Sequence, residues 1–156
     1  MPDWTKSMKQ TFEYYIVDPA TWTDRTQCTF VSKTTIKRDL KSDTLGSASI
    51  DTAEDLPECY IRVYLVTEQN DIEEHFSLGT FLCQAPSRSF DGKVKSISVD
   101  AYTPLIELKE NNPPVGYYIA GGSRVLKMAY RLVRENARAP VVKPSSTAAL
   151  SDGFVS

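Results

Sequence analysis

The sequence predicts a mainly β, barrel-like domain with one amphipathic helix towards its C-terminal end and a shorter second helix before it. Three observations carry this. Strand-like runs rich in Val, Ile, Thr, Tyr and Phe follow one another from residue 8 to residue 100. The breaks between them are short and built of Asp, Asn, Gly, Pro and Ser, which suits antiparallel neighbours closing into a barrel or sandwich. One long stretch, 123–138, repeats its apolar residues at helical spacing.

Taken in order, Met8–Val17 mixes Phe12, Tyr14, Tyr15, Ile16 and Val17 with polar residues, as a strand or an extended arm would, and Asp18-Pro19 breaks it. Residues 1–26 are read as an N-terminal arm whose Trp4 and Trp22 either plug the core or pack on a neighbouring subunit. The 27–40 stretch alternates as two short strands or one bent one. Lys41–Thr44 is a turn, Gly46–Asp51 a short strand and Asp55–Glu58 a loop. Cys59–Thr67 alternates most clearly, with Cys59, Ile61, Val63, Leu65 and Thr67 on the core side. Glu68–Asp71 is a hairpin loop, and Glu73–Gln84 returns as a strand in which Gly79 marks a bulge. Pro86–Ser89 leads to an Asp91-Gly92 turn, and Lys93–Asp100 is the next strand.

Thr103 is placed as the N-cap of a short helix with Pro104 as its first residue, and Asn111-Asn112-Pro113-Pro114 ends it. Tyr117–Ala120 is a short strand, broken by Gly121-Gly122. Ser123 caps the main helix, which runs to about Arg138. Its apolar face is Val125, Leu126, Ala129, Leu132, Val133 and Ala137, and if that stripe buries against the barrel it covers the barrel's open side or end. The domain is drawn as 27–139, the barrel with its flanking helix. Residues 140–156 are read as a linker or the start of a following domain.

The chain has 156 residues and a net charge of -2, which suits one domain with a core of its own and gives no electrostatic reason for a nucleic-acid partner. Its three cysteines, Cys28, Cys59 and Cys83, are odd in number and lack Cys-x-x-Cys spacing, so they read as reduced, buried thiols made in a reducing compartment. No apolar run is long enough for a membrane helix, and no signal-peptide core is present at the N-terminus.

Residues able to do chemistry are few. His75 beside Glu73 and Glu74 could form an acid/base group, but strand starts beside turns commonly carry exposed polar residues. The carboxylate pairs Glu73/Glu74, Asp51/Glu54 and Glu54/Asp55 are loop charges with nothing to fix them across a cleft. Metal ligands at short spacing are missing. Gly121-Gly122-Ser123-Arg124 opens a helix as a phosphate loop can, yet lacks the further glycines or the Gly-Lys-Ser/Thr such loops need. The chain therefore reads as a non-enzyme without metal or cofactor. Arg124, Lys127, Arg131, Arg134 and Arg138 line the polar face of the main helix. They are a solvated face or a contact for an acidic neighbour.

One order of features resembles a known family. A strand through Leu78-Gly79-Thr80-Phe81-Leu82 runs into Ala85-Pro86 and a polar turn at Asp91-Gly92. A further strand ends in Asp100-Ala101-Tyr102. A short Leu105-Ile106-Glu107-Leu108 helix follows, and then Gly121-Gly122 opening a helix over Ser123–Asn136. Over about residues 25–140 this is similar to the N-terminal region of bacteriophage baseplate-hub or tail-tip hub (minor tail) proteins. The resemblance implies a split β-barrel with a flanking helix, like that of a tail-tube subunit. It implies homo-oligomeric rings, trimers with two barrels per chain, that join the tail tube or distal tail protein to a spike or fibre. Double-stranded DNA would pass through the lumen as cargo at genome ejection. It places the protein in the virion tail after synthesis in the host cytoplasm, with more of the hub following Ser156. Candidate subunit-interface residues are then Trp4, Tyr14, Tyr15, Trp22, Tyr60, Tyr64 and Phe90 as aromatic anchors and Arg124, Lys127, Arg131 and Arg134 as charges. The alternative reading is a stand-alone β-barrel binding module for a host-surface peptide or carbohydrate.

Overall fold

The computed structural model describes residues 2–90, 95–111, 113, 115–143 and 154–155, and the chain divides into two compact units, Met1–Thr103 and Pro104–Ser156. The first unit is one antiparallel sheet of eight strands: β1 (Lys9–Val17), β2 (Asp24–Gln27), β3 (Val31–Arg38), β4 (Gly46–Thr52), β5 (Tyr60–Gln69), β6 (Ile72–Cys83), β7 (Ser87–Phe90) and β8 (Lys95–Tyr102). Its order is β2-β1-β5-β6-β8-β4-β3, with β7 paired to β8 off that path.

That order forces curvature. The two end strands, β2 and β3, are consecutive in the chain and joined only by Cys28, Thr29 and Phe30. Six strand spacings in a flat sheet would span about 29 Å. The link from Gln27 to Val31 reaches about 14 Å at most. The sheet therefore bends back on itself. The bend falls where β6 meets β8 through only the pairs Leu82↔Tyr102 and Cys83↔Ala101. Both arms supply one core: Ile61, Val63, Phe81 and Cys83 from one side, and Ala48, Ile50, Ile97, Val99 and Ala101 from the other, with Leu56 between strands. Period-two alternation in β4 and β8 points these residues inward.

Two features of the β5–β6 hairpin explain its register. Asn70 and Asp71 both adopt positive φ, 53° and 62°, the two-residue turn whose twist matches paired strands. Gly79 sits at the register shift opposite Val63 and Tyr64 with φ 140°. A Cβ there would lie 2.8 Å from the Arg38 guanidinium, which donates to the Leu78 carbonyl and lies over the Phe81 ring.

Several expectations need correction. The 1–26 stretch is no arm: all nine residues of β1 pair with β5, from Lys9↔Glu68 to Val17↔Tyr60. Ser87–Phe90 is a strand, because its backbone finds partners on β8; the Asp91-Gly92 turn that should follow lies outside the described residues. Thr103 does not cap the short helix. Its hydroxyl donates to the Thr44 carbonyl instead, and Pro104 takes the cap position. The 27–139 domain also straddles the division between the two units.

The second unit holds α1 (Leu105–Glu110), β9 (Tyr118–Ile119), α2 (Val125–Asn136) and β10 (Phe154–Val155), with β9 and β10 paired antiparallel. Phe154 and Val155, read as linker, are thus in a strand. Arg124, rather than Ser123, is the N-cap of α2, and the helix stops at Asn136 because Ala137 is extended. Glu107 ties α1 to the chain just past α2: it accepts from the Arg138 backbone at 3.0 Å and from Arg138 Nε at 2.7 Å. Among the described residues of this unit Glu107 is the only buried one. The apolar stripe of α2 is not buried: no residue of the helix is, and Val125 and Leu126 are 38% and 39% exposed.

Candidate interaction surfaces

The first surface is the outer face of β1, β5 and β6. Alternation that sends Tyr14 and Val63 to the core sends Glu13, Tyr15, Arg62 and Tyr64 outward. Arg62 organises one end. Its guanidinium donates to Asp24 Oδ1 at 2.8 Å, to the Trp22 carbonyl at 3.0 Å and to Thr80 Oγ1 at 3.1 Å. The other Asp24 oxygen accepts from the Tyr64 hydroxyl at 2.7 Å. Tyr15 meets Tyr64 edge-on at 5.8 Å and donates to Glu13 at 3.0 Å. His75 completes the row. Its ring meets that of Tyr64 at 6.3 Å and stands between Glu73, at 2.8 Å, and Glu13, at 3.6 Å.

The electrostatics follow from these contacts. The hydrogen bond to Glu13, helped by desolvation, raises the Tyr15 phenol above its ordinary pKa. Desolvation first, and then the bond to Asp24, raises that of Tyr64. Both phenols are thus held neutral beside carboxylates, as donors. The face offers two tyrosine rings and an imidazole among three carboxylates, one of which pairs with Arg62. It is an open sheet face, suited to gripping a partner.

The second surface is α2 in the other unit. Arg124, Lys127, Arg131 and Arg134 border an open groove of about 1010 Å³ that also meets Met128 and Tyr130. Lys143 adds a further cation, and Glu135 is the one carboxylate among the residues lining it. Glu135 pairs with Arg131 at 3.4 Å, and Arg131 also donates to the Tyr117 hydroxyl at 3.0 Å. Arg124 and Lys127 are exposed. The groove is cationic, with Met128 and Tyr130 among its lining.

The sequence-predicted residues divide between these places. Tyr15 and Tyr64 belong to the first surface, and Arg124, Lys127, Arg131 and Arg134 make up the second. Tyr60 is withdrawn from the candidates: it is 2% exposed, covered by Trp22 at 4.9 Å between rings, and free of solvent for any partner to reach. Tyr14 turns to the core. Trp22 spends its ring on Tyr60, so it plugs its own domain. Trp4 packs on Phe76 at 5.7 Å while half exposed, and Phe90 is 71% exposed on β7. Sequence reasoning missed Glu13, Asp24 and Arg62. The i, i+2 pattern Arg62, Tyr64 was visible, but its partner Asp24 lies 38 residues away in the chain.

No family model and no curated protein sequence matches this chain. Among the described residues no three His, Cys, Asp or Glu side chains stand together as metal ligands would, and no helix is long and apolar enough to cross a membrane.

Proposed function

We propose that the chain is a structural subunit of a phage or phage-like tail tip or baseplate hub, joining the tail tube to the distal tip and lining part of the DNA ejection channel. The observation that carries this is the second unit. It has an amphipathic helix with a cationic face, yet among its described residues nothing apolar is buried. A segment that short, whose described residues form no core, gains stability by covering its apolar stripe on another surface. An assembly subunit supplies such a surface from a neighbouring copy or an adjoining tail protein. Charge supports a neighbouring copy: residues 1–103 carry 16 acidic and 11 basic side chains, and residues 104–156 carry 4 and 7. Opposite halves attract head to tail, the geometry from which rings are built.

Family resemblance supplies the particular machine: ring homo-oligomers, a trimer by that resemblance, a tube or distal tail protein above and a spike or fibre below. The strand Leu78–Leu82, the Asp100–Tyr102 strand end and the α1–α2 succession on which it rests are all regular elements here. A split barrel is the closed form of the curled sheet that this reading requires. The test is proteomics and immunogold labelling of purified particles from the source. Label at the tail tip supports the proposal, and absence of the chain from tailed particles contradicts it.

A second reading has its own observation. Tyr15, Tyr64 and His75 lie in a row on a solvent-facing sheet among Glu13, Asp24 and Glu73. Aromatic faces beside hydrogen-bonding carboxylates suit a sugar or a basic peptide on a host surface. Glycan-array binding that is lost on Tyr15→Ala would favour it over the hub.

A further inference from the structure

The three cysteines, far apart in sequence, come from adjoining parts of the first unit. Cys28 directly follows β2, Cys59 directly precedes β5, and Cys83 ends β6. The β5–β6 ladder runs through Tyr60↔Leu82, so the next pair in register is Cys59 opposite Cys83. The backbone bears this out: the Cys83 N–H donates to the Cys59 carbonyl at 2.8 Å. Residues facing each other at such a hydrogen-bonded position have Cα atoms about 5.5 Å apart. A disulfide bridges Cα separations of about 4.4–6.8 Å. Facing residues also point to the same side of the sheet, here the core side: Cys83 is fully buried, and Cys59 packs against the same cluster while keeping part of its surface in solvent.

We propose that Cys59 and Cys83 are a reversible dithiol–disulfide site, oxidised by hydrogen peroxide that enters at Cys59. Cys59 is the less buried member, and its hydrogen bond with Cys83 holds its pKa below the ordinary thiol value against the opposing effect of burial. Cys83 is pushed far up by the same bond and by burial, so it keeps its proton and waits as the resolving thiol. Burial raises Cys28 as well, and its backbone N–H is engaged with the Tyr14 carbonyl at 2.8 Å.

The chemistry balances in two steps. The Cys59 thiolate attacks one peroxide oxygen, the O–O bond breaks, and the leaving hydroxide takes a proton to become water, leaving a sulfenic acid on Cys59. The Cys83 sulfur then attacks Cys59 Sγ as its own proton goes to the departing hydroxyl, and a second water leaves. Two thiols lose two electrons and two protons in all, and one peroxide is reduced to two waters. The bond would tie the entry of β5 to the end of β6, beside the bend in the sheet.

Peptide mapping reads the outcome directly, because trypsin places the three cysteines in separate peptides, 26–33, 42–62 and 63–88. The reduced full chain is exposed to mild hydrogen peroxide, unfolded, alkylated, and digested without reductant. The expected product is peptide 42–62 linked to 63–88, two hydrogens lighter than the pair, with Cys28 alkylated and the link reversed by dithiothreitol. Cys28→Ser keeps the link, and Cys59→Ser abolishes it. The oxidised chain should melt about 10 °C higher, as closing a loop of this size implies. A link that includes Cys28, a Cys59 that runs on to sulfinic acid unlinked, or three thiols unchanged in the folded chain would each overturn the proposal.

Discussion

Arg62 shows how one side chain holds the outer face of the sheet. It is only 15% exposed, and its partner Asp24 29%. Its guanidinium fork meets a carboxylate, a carbonyl and a hydroxyl at once, which an ammonium cannot do. Removing it leaves Asp24 partly desolvated with only Tyr64 as a donor among the contacts described. Arg62→Ala should therefore cost about 2–3 kcal/mol in urea denaturation, and Arg62→Lys should recover less than half. The phenols beside it give a pH signature. Tyr15 and Tyr64 are raised above their ordinary value of 10.0, so the folded state favours the neutral form. A raised folded pKa means that the stabilisation is fully present below the unfolded value and is lost as pH rises through the folded one. Denaturation midpoints should be flat towards pH 9 on this account and fall above about pH 10. Tyr15→Phe with Tyr64→Phe should flatten that fall. An unchanged alkaline slope in the double variant would contradict the assignment.

At the scale of elements, the β5–β6 hairpin is where local sequence and structure agree best. Asn70 and Asp71 tolerate the positive φ that the turn demands. Asn70→Val should destabilise by about 1 kcal/mol or more, while Asp71→Gly should be neutral or stabilising by a few tenths, both measured by thermal melts. Strands β4 and β8 were legible because one of their faces is in the core and period two survives, whereas in β5 the register shift after Val63 breaks the alternation, so that Val66 is buried where Leu65 was expected. Gly79 announced its bulge for the same reason, as the one residue without a side chain in a long apolar-alternating run. β1 was harder to read, since Phe12 is exposed while Tyr14 packs on the core. β7 was illegible: its four residues are all exposed and only backbone pairing makes it a strand. The candidate site was half legible. Tyr15, Tyr64 and the α2 cations could be picked by type. Glu13 sits two residues from Tyr15 on the same strand, but Asp24 and His75 join Tyr64 only through pairing between strands distant in sequence. Tyr60 misled because its alternation faces outward, whereas the turn carrying Trp22 folds over it.

At the scale of the whole molecule, the division of charge and of apolar burial carries the functional account. One unit owns a complete core and an acidic excess. The other has a cationic helix and, among its described residues, a single buried side chain, the carboxylate of Glu107. Glu107→Ala should loosen this second unit alone: hydrogen exchange should rise over residues 105–138 and stay unchanged over the β5–β6 hairpin. Native mass spectrometry of the full gene product, beside a Lys127→Glu, Arg131→Glu, Arg134→Glu variant, tests the account most directly. A ring oligomer, a trimer by the family resemblance, that falls to monomer in the charge-reversed variant is the predicted result. A wild-type protein that stays monomeric at every concentration would contradict it.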